Sequence, residues 1–348
     1  MFALSVTPGK SQSGRLEEDW PEPFLKDGEI LVETLSIGIC GTDREILAGK
    51  YGISPSGEEK LIIGHESLGR VLDAPASSRL SSGDLVVAIV RHPDPVPCAN
   101  CAIGEWDMCR NGLYTEHGIK ERHGFGRERF RCGPESFVKI PSSLESVGVL
   151  VETASILAKA WEHIDYIGRR AVWHPRNVLV LGSGPVGLLA ALMGVQRGLS
   201  VEVFDKVTSG PKLDLVRSLG ARYSTGPLKA LTTKADIVIE CTGDGQLVYD
   251  VMGCSSSNGI ICLTGISSGS RLIPANINRL NENIVLGNDV IFGSVNANRR
   301  HYEAAVAALS SANRSWLEKI ITKKVPLRNW QQAFERGPDD IKNVILLR

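Results

Sequence analysis

Four residues in separate parts of the chain carry side chains that bind transition metals. Cys40 lies in "GICGTDREI", His65 and Glu66 lie in "IIGHESLGRV", and Glu152 lies in the apolar "LVETAS". One thiolate, one imidazole and one or two carboxylates can hold Zn²⁺ and leave a position for water or substrate, as catalytic zinc requires. Each residue alone has a plainer explanation: core packing for Cys40, a hydrogen-bonded pair for His65 and Glu66, and a solvated helix start for Glu152.

A second group of candidate ligands is local. Cys98, Cys101 and Cys109 form a CxxC pair and one further cysteine in "PCANCAIGEWDMC". Short spacing of this kind indicates a structural metal, but a structural zinc takes four ligands. Two interpretations stay open from these residues: a bound zinc with a substitute fourth ligand, and a lobe without metal.

A glycine-rich motif marks the expected nucleotide site. It follows a predicted strand, "NVLVL", and opens an apolar helix, which is the context that makes such a motif a dinucleotide-binding fingerprint. Its glycines allow a tight turn, close approach of the backbone to a pyrophosphate and close helix packing, and the helix N-terminus favours phosphate. The motif consists of Gly182, Ser183, Gly184, Pro185, Val186 and Gly187.

Asp205 ends the next predicted strand, near the spacing of roughly 20 residues expected for the acid that binds the adenosine ribose. A carboxylate there repels a 2′-phosphate and favours NAD, but Lys206 is adjacent and leaves NADP open. Further cofactor contacts are expected at the ends of later strands, where open α/β sheets bind ligands. These residues are Thr242, Gly243, Thr264, Gly265, Ser294, Val295 and Asn296.

The elements that must position these residues follow two patterns. Short strand-like runs broken by Gly, Pro and Ser fill the first half and indicate a mainly β domain. From about residue 172, β-type runs alternate with helical patterns, which predicts βαβ units and a parallel sheet. The predicted domains are therefore 1–171 and 172–296, and residues 297–348 are expected to return to the first domain.

Composition excludes several classes of function. The 348 residues include 39 Lys and Arg and 39 Asp and Glu, so the net charge gives no reason to expect a nucleic-acid or membrane-surface partner. No apolar run reaches the roughly 18 residues that could span a bilayer. The N-terminus lacks the pattern of a signal peptide, which makes the cytoplasm the expected location.

The motifs resemble those of a known enzyme family. Residues 40–43 ("CGTD"), 64–66 ("GHE") and the glycine motif resemble the zinc-dependent medium-chain dehydrogenase/reductase superfamily. The stretches "VLGNDVIFGSVNAN", "YTEHGI" and "LVETAS" resemble its glucose (aldose) 1-dehydrogenase branch. The resemblance covers nearly the whole chain. It implies an α/β fold class: a GroES-like β-rich catalytic domain and a Rossmann domain with a doubly wound parallel sheet. It also implies a homo-oligomer, a dimer or tetramer.

The resemblance assigns metal ligands. Cys40, His65 and Glu66 match the ligands of the catalytic zinc, and Glu152 matches a position that binds zinc or sugar. Asp43 would orient His65 from outside the metal coordination sphere and fix its tautomer.

The resemblance also assigns contacts to the substrate and the cofactor. Thr42 occupies the hydroxyl position that contacts the reacting oxygen, and Glu116 and Asn296 match positions that bind sugar hydroxyls. Lys342 matches a basic position near the cofactor phosphates. Glu45 stands where alcohol dehydrogenases commonly have a relay histidine, so the proton needs another exit path.

Most relatives carry a fourth cysteine in the lobe, which reads CxxCxxCx7C. Pro95 stands where the first of those cysteines would be. His117 is the preferred substitute ligand because it is close downstream of Cys109 and has no predicted sugar role. The other candidates are His92, Asp94, Glu116 and Cys132.

The predicted reaction is oxidation of the C1 hydroxyl of an aldose, a small sugar, to the lactone, with hydride transfer to NAD or NADP. Three alternatives remain at this stage. The first is a dehydrogenase of the same superfamily for another polyol, a secondary alcohol or an amino sugar. The second is a zinc-free relative similar to quinone reductases, and the third is a dinucleotide sensor without catalysis.

Overall fold

The computed structural model describes residues 1–24, 26–228, 234–267 and 270–347, and the chain divides into two compact units. The first contains Met1–Ser155 and Asn296–Arg348, and the second contains Ile156–Val295. In chain order the described strands are β1 (Ala3–Val6), β2 (Arg15–Glu17), β3 (Ile30–Ile39), β4 (Leu61–Ile62), β5 (Glu66–Asp73), β6 (Leu85–Ala88), β7 (Arg91–His92), β8 (Thr115–His117), β9 (Glu121–Arg122), β10 (Arg129–Cys132), β11 (Phe137–Ile140), β12 (Asn177–Leu181), β13 (Ser200–Phe204), β14 (Arg222–Ser224), β15 (Ala235–Glu240), β16 (Ser255–Leu263), β17 (Val290–Gly293), β18 (Ile321–Pro326) and β19 (Lys342–Leu346).

The described α-helices are on average shorter in the first unit than in the second. They are α1 (Gly41–Leu47), α2 (Ala99–Ala102), α3 (Leu150–Gly168), α4 (Pro185–Gln196), α5 (Pro211–Ser218), α6 (Gly245–Val251), α7 (Ile277–Gly287), α8 (Arg299–Ser310), α9 (Arg314–Ile320) and α10 (Gln331–Phe334). Short 3₁₀ turns include Trp106–Met108, Pro134–Ser136, Ser142–Leu144 and Leu327–Asn329. None of these helices is both long enough and apolar enough to cross a membrane.

The first unit is built on a largely antiparallel sheet. Its strand order is β11-β6-β5-β3-β19-β18, and β10 also pairs with β3. Strand β3 alternates buried apolar residues such as Ile30 and Val32 with less buried ones, as a half-buried strand does. Asn343 of β19 pairs with Ile39 of β3, so the C-terminal segment folds with the first unit.

The second unit is a six-stranded parallel sheet. Its order, β14-β13-β12-β15-β16-β17, places the first strand of the unit in the middle. Successive strands of the chain are therefore added to one side of β12 up to β14 and to the other side from β15 onward. Doubly wound sheets bind ligands at the point where the strand order reverses in this way. The apolar strands β12 and β15 are almost fully buried, as expected for a parallel sheet covered on both faces.

The division between the units falls inside helix α3. The sequence-based boundaries were 171/172 and 296/297, whereas the structure divides the chain after Ser155 and after Val295. The first boundary differs because the second half of α3 folds with the second unit. Trp161 lies next to Gly194, and the guanidinium of Arg197 is 4.6 Å from the centroid of the tryptophan ring.

Candidate active site and coenzyme site

Cys40, His65 and Glu66 come together at the end of strand β3. The pairing of β3 with β5 sets Gly38 opposite Glu66, so Cys40 and His65 lie just beyond the paired residues. Cys40 Sγ is 3.2 Å from His65 Nε2. Ligand atoms of all three residues lie within 4.8 Å of one another. The structure thus groups the three residues that the sequence predicts to share a metal.

Helix α1 holds Cys40 in place. The sulfur accepts the Thr42 N–H at 3.2 Å. Asp43 Oδ2 accepts the Cys40 N–H at 2.9 Å, and the Cys40 side chain accepts the Asp43 N–H in return, which forms a capping box. The second oxygen of Asp43, Oδ1, lies 3.3 Å from His65 Nδ1. Asp43 is fully buried. Its contact with Nδ1 orients the imidazole with Nε2 toward Cys40.

The electrostatics of this group favour a cation. Burial opposes protonation of His65, but the Asp43 carboxylate and the Cys40 sulfur outweigh it and raise the pKa of His65 well above its usual value. Burial likewise opposes ionisation of Asp43, yet the charge of His65 leaves the pKa of Asp43 lowered. A sulfur, an imidazole nitrogen and a carboxylate oxygen at this spacing are the donors that Zn²⁺ prefers. The residues therefore fit a zinc ion.

Glu66 is also tied to the last strand of the chain. Its carboxylate forms an ion pair with Lys342 of β19 and accepts the Thr153 hydroxyl at 3.2 Å. The side chains of Glu66 and Lys342 are each only 2% exposed. Glycine is required at position 38, because a Cβ there would collide with the Glu66 carboxylate. The ammonium of Lys342 is thus buried against the Glu66 carboxylate. A position of Lys342 near the cofactor phosphates stays a prediction.

Glu152 lies near this group but outside its 4.8 Å radius. The side chain is buried, and burial raises the pKa of Glu152 to about 7. The positive charge of His65 opposes the rise, whereas the Glu66 carboxylate adds to it. A role for Glu152 in binding zinc or sugar stays a prediction.

Glu116 and Asn296, the two predicted sugar-binding residues, are in direct contact. Asn296 Nδ2 donates to Glu116 Oε1 at 2.5 Å. Arg91 Nε donates to the same oxygen at 3.0 Å, and its guanidinium lies 3.7 Å from the centroid of the Tyr114 ring. These contacts fix the Glu116 carboxylate in place through Oε1. Arg91 was not predicted from the sequence, although a single charge directly after the apolar run "DLVVAIV" was a signal.

The three lobe cysteines converge around helix α2. Their sulfurs lie within 4.8 Å of one another, and Cys98 accepts the Arg110 N–H at 3.4 Å. Backbone hydrogen bonds, that of Arg110 first, lower the pKa of Cys98 to about 6, whereas burial raises the pKa of Cys101 to about 11. Three converging thiols fit a metal such as zinc.

The preferred fourth ligand lies elsewhere. His117 is buried, its Nδ1 is 2.6 Å from the His123 carbonyl oxygen, and its Nε2 is 3.6 Å from Cys132 Sγ. His117 also packs against Phe125 in the core. The expectation that His117 completes the lobe site is therefore wrong. The other candidates are also outside the three-cysteine group: His92, Asp94, Glu116 and Cys132.

The glycine motif forms the turn between β12 and α4. Gly182 has a φ of 96°, which favours glycine, and a Cβ on Gly187 would strike the Gly182 carbonyl oxygen. Gly184 caps the helix and Pro185 takes its first position, where the missing N–H is not needed. The strand, turn and helix N-terminus of a dinucleotide site are therefore present.

Asp205 follows β13 and anchors this turn. Its Oδ2 accepts both the N–H and the hydroxyl of Ser183 at 2.6 Å, and its Oδ1 accepts the Lys206 N–H at 2.6 Å. Burial opposes ionisation of Asp205, but these hydrogen bonds, led by that of the Ser183 hydroxyl, lower its pKa. An ionised carboxylate is therefore held at the position predicted to bind ribose.

A cavity of about 810 Å³ opens beside Asp205 within the second unit. Its volume and mixed lining are typical of small-molecule sites. Four of the predicted cofactor residues line it: Asp205, Lys206, Thr242 and Gly243.

Glu240, which was not predicted from the sequence, organises the neighbouring strand ends. Its buried carboxylate accepts the Thr242 N–H at 2.6 Å and the Gly243 N–H at 3.1 Å, and its carbonyl accepts the Thr264 hydroxyl at 2.7 Å. A Cβ on Gly265 would come 2.7 Å from the same carboxylate. A charged residue that closes the apolar strand "DIVIE" was the available signal.

The segment after β17 is divided between the two units. The Ser294 N–H donates to the Leu263 carbonyl at 2.9 Å, and the Val295 carbonyl accepts Lys159 Nζ at 3.0 Å. Asn296 begins the return to the first unit, where it contacts Glu116. Cofactor contacts by these three residues stay predictions.

Comparison with known proteins decides the family. The family described as "Alcohol dehydrogenase GroES-like domain" matches residues 26–142, and that described as "Glucose dehydrogenase C-terminus" matches residues 145–347. The glucose 1-dehydrogenases of Methanocella arvoryzae and Thermoproteus tenax are each 37% identical to this chain, with 99% of both chains covered. The chain belongs to the glucose dehydrogenase branch of the zinc-dependent medium-chain dehydrogenases.

A solved structure shows that this likeness also holds for the fold of the chain. Haloferax mediterranei glucose dehydrogenase in complex with NADP, Zn and gluconolactone matches it with a TM-score of 0.92 and 31% identity. The match covers 100% of this chain and 99% of the other. The predicted fold class, a GroES-like β-rich domain with a Rossmann sheet, is confirmed.

Proposed function

We propose that this branch member oxidises the C1 hydroxyl of an aldose, glucose or a close relative, to the lactone, with hydride transfer to NAD(P). The buried group of Cys40, His65 and Glu66 carries the proposal, because its donors suit catalytic zinc. The relatives support it: they are glucose 1-dehydrogenases over their full length, and one was solved with gluconolactone.

When bound, the zinc ion would polarise the C1 oxygen and the nicotinamide would accept the hydride. The chain's own residues position the metal ligands and move the proton. Asp43 holds the orientation of His65 through the 3.3 Å contact with Nδ1. The Thr42 N–H donates to the Cys40 sulfur, which places Thr42 next to the proposed metal donors. We propose that the Thr42 hydroxyl accepts the C1 proton and passes it toward solvent.

Sugar recognition would centre on Glu116. Its Oε1 is occupied by Arg91 and Asn296, so the carboxylate is fixed in place and Oε2 can accept a ring hydroxyl. Glu152 would hold a further hydroxyl. A pocket built to hydrogen-bond hydroxyls rejects analogues that lack them, because its polar groups would be left unpaired.

A substrate screen tests the proposal. Purified protein is assayed with aldoses, polyols, secondary alcohols and amino sugars, with NAD and with NADP, before and after treatment with a chelator. We expect reduction of the coenzyme with glucose or a related aldose, loss of activity on chelation, and recovery with Zn²⁺. Turnover confined to polyols or simple alcohols would favour another dehydrogenase of the superfamily, and chelator-resistant turnover would contradict the zinc site.

Coenzyme preference follows from Asp205. We propose NAD as the preferred coenzyme, because the carboxylate suits a ribose diol and repels a 2′-phosphate. Lys206 lines the same cavity and keeps NADP possible, as does the NADP bound in the Haloferax structure.

Asp205→Ala is expected to raise KM for NAD by about tenfold, because a hydrogen bond to a charged group contributes roughly 1.5–3 kcal/mol. KM for NADP should rise less, because repulsion of the 2′-phosphate is relieved at the same time. Steady-state kinetics with both coenzymes measure the difference. Asp214→Ala, which removes an exposed carboxylate on α5, is the matched control. Equal losses for the two coenzymes would remove the ribose role.

We further propose that the lobe of Cys98, Cys101 and Cys109 binds a second, structural zinc. Cys101→Ser is expected to lower the zinc content from about two ions per chain to about one, and to lower Tm by several degrees while kcat stays near wild type. Elemental analysis and thermal unfolding measure both effects. Cys254→Ser, outside both cysteine-containing metal groups, is the control. A wild-type protein with a single zinc would point to the catalytic site alone.

Assembly stays a prediction from the family resemblance, and location stays a prediction from the sequence. We propose a homodimer or homotetramer located in the cytoplasm. Light scattering of the purified chain at several concentrations tests the first statement, and cell fractionation tests the second.

A further inference from the structure

One short turn connects the cysteine-bearing lobe to the proposed sugar-binding residues. It comprises residues 105–109, and we call it the lobe turn. It ends at Cys109, whose N–H donates to the Trp106 carbonyl at 3.1 Å. Asn100 Nδ2, from helix α2, donates to the Met108 carbonyl at 2.6 Å. The lobe turn is therefore held against the helix around which the three cysteines converge.

The first connection to the sugar site runs through the backbone of the lobe turn. The Asp107 carbonyl accepts Arg91 Nη1 at 3.2 Å, and Arg91 Nε and Nη2 both lie 3.0 Å from Glu116 Oε1. The same guanidinium lies 3.7 Å from the centroid of the Tyr114 ring. Because a guanidinium is planar and rigid, a carbonyl that holds one of its nitrogens also fixes the direction of the other two. The lobe turn thus sets the direction from which Arg91 reaches Glu116.

The second connection runs through side chains of the same turn. Asn298 Nδ2 donates to Glu105 Oε2 at 3.0 Å and to Asp107 Oδ1 at 2.9 Å. Two residues earlier in the chain, Asn296 Nδ2 donates to Glu116 Oε1 at 2.5 Å. Asn296 has a φ of 64°, a left-handed conformation that persists only where the surrounding contacts maintain it. The lobe turn therefore also anchors the segment that presents Asn296.

Both connections end on the same atom, Glu116 Oε1. The side chains of Arg91, Asp107, Glu116 and Asn298 are all buried. Hydrogen bonds to ionised groups are the strong ones, and little water competes for them in a buried network. A shift of the lobe turn would displace both donors of this oxygen together, so the carboxylate would lose its fixed direction.

We infer that the lobe turn is a positioning element of the proposed sugar site and that Asp107 is its central positioning residue. Asp107 receives one connection at its backbone carbonyl and the other at its side chain. A carboxylate that is already held in one direction loses less conformational entropy when it binds a hydroxyl, so it binds more tightly. The lobe thus contributes to the affinity for an aldose as well as to stability. The identity of the ligand rests on the proposed function, whereas the two connections to Glu116 do not.

Asp107→Ala tests the side-chain connection, since it leaves the backbone carbonyl in place. KM for the aldose should rise about tenfold, because the segment that carries Asn296 loses its anchor. The kcat should change by less than about threefold, because sugar binding is weakened and the metal donors are unchanged. Asp107→Asn keeps an oxygen for Asn298 Nδ2 and should return KM to within about threefold of wild type.

Two further variants accompany this test. Arg91→Lys breaks the first connection, because one ammonium cannot reproduce the fork of a guanidinium, and it should also raise KM about tenfold. Asn111→Ala is the matched control. It removes a different hydrogen bond of the lobe, from Asn111 Nδ2 to the Val96 carbonyl, and should keep the wild-type KM.

Hydrogen exchange of the Arg91 Nε–H measures the positioning without sugar or coenzyme. Loss of one NMR signal in Arg91→Lys identifies this proton. In Asp107→Ala it should exchange with water about tenfold faster than in wild type, because its acceptor Glu116 has become mobile. In Asn111→Ala the exchange rate should not change.

Three results would overturn the inference. These are an unchanged KM in both Asp107→Ala and Arg91→Lys, an equal rise of KM in Asn111→Ala, and an unchanged exchange rate in Asp107→Ala. A wild-type protein that oxidises no aldose would contradict the proposed function instead. Faster exchange in Asp107→Ala would then still support the connection from the lobe turn to Glu116, so the two failures are distinguishable.

Discussion

Cys40→Ala is expected to reduce kcat for aldose oxidation by about a thousandfold or more, because it removes the sulfur donor of the proposed catalytic zinc. His65 and Glu66 alone leave fewer protein ligands than the three that catalytic zinc takes. The change also removes the cap on the Thr42 N–H, which should lower the free energy of unfolding by about 1 kcal/mol. Coenzyme binding should persist, because the glycine loop belongs to the other unit.

Three measurements separate these effects: zinc content, steady-state turnover, and coenzyme affinity by fluorescence titration. Cys254→Ala is the matched control, since that thiol is partly buried and lies outside both metal groups. It should retain its zinc and its turnover. If Cys40→Ala turned over sugar at a rate close to wild type, the assignment of the metal ligands would be wrong.

Lys342→Met is expected to destabilise the protein strongly, by roughly 3–5 kcal/mol, because it leaves the buried Glu66 carboxylate without its counter-charge. The pair is suited to such a test, since both side chains are only 2% exposed. Urea unfolding followed by circular dichroism measures the change. The double variant Glu66→Gln/Lys342→Met removes both charges and should recover most of the stability. Its turnover should stay low, because Glu66 is a proposed metal donor.

Lys324→Met is the control for loss of a lysine on the adjacent strand β18. That residue is exposed, so the change should remain within about 0.5 kcal/mol of wild type. Similar losses for Lys342→Met and Lys324→Met would show that the buried ion pair is not needed for stability. A double variant no more stable than Lys342→Met would show that the Glu66 charge is not the cause.

Residue types together with the family resemblance were sufficient to predict which candidate metal donors lie together. Cys40, His65 and Glu66 carry side chains with strong metal affinity, and the pairing of β3 with β5 then brings them together. The same holds for the glycine loop and Asp205, where local spacing and strand order determine the geometry. Short-range patterns therefore predicted the parts of the site that lie on single strands or turns.

Long-range partners could not be predicted in this way. Lys342 meets Glu66 across 276 residues of sequence, and no local pattern connects the two. His117 was chosen because it is near the lobe in sequence, but the pairing of β8 with β7 and its contact with Phe125 draw it into the core. The division of the chain inside α3 could not be predicted for a related reason. The helix continues without a break past the residue at which the chain passes from one unit to the other.

The contact between Asp205 and Ser183 limits how this lineage could change its coenzyme. The carboxylate that we propose discriminates between coenzymes is also the acceptor for the N–H and the hydroxyl of Ser183, so it holds the glycine-rich turn proposed to bind the phosphates. A single substitution that admits a 2′-phosphate would therefore loosen the turn that both coenzymes need. An evolutionary path from one coenzyme to the other requires a second change that re-anchors Ser183, and the intermediate would be a poorer enzyme with either coenzyme.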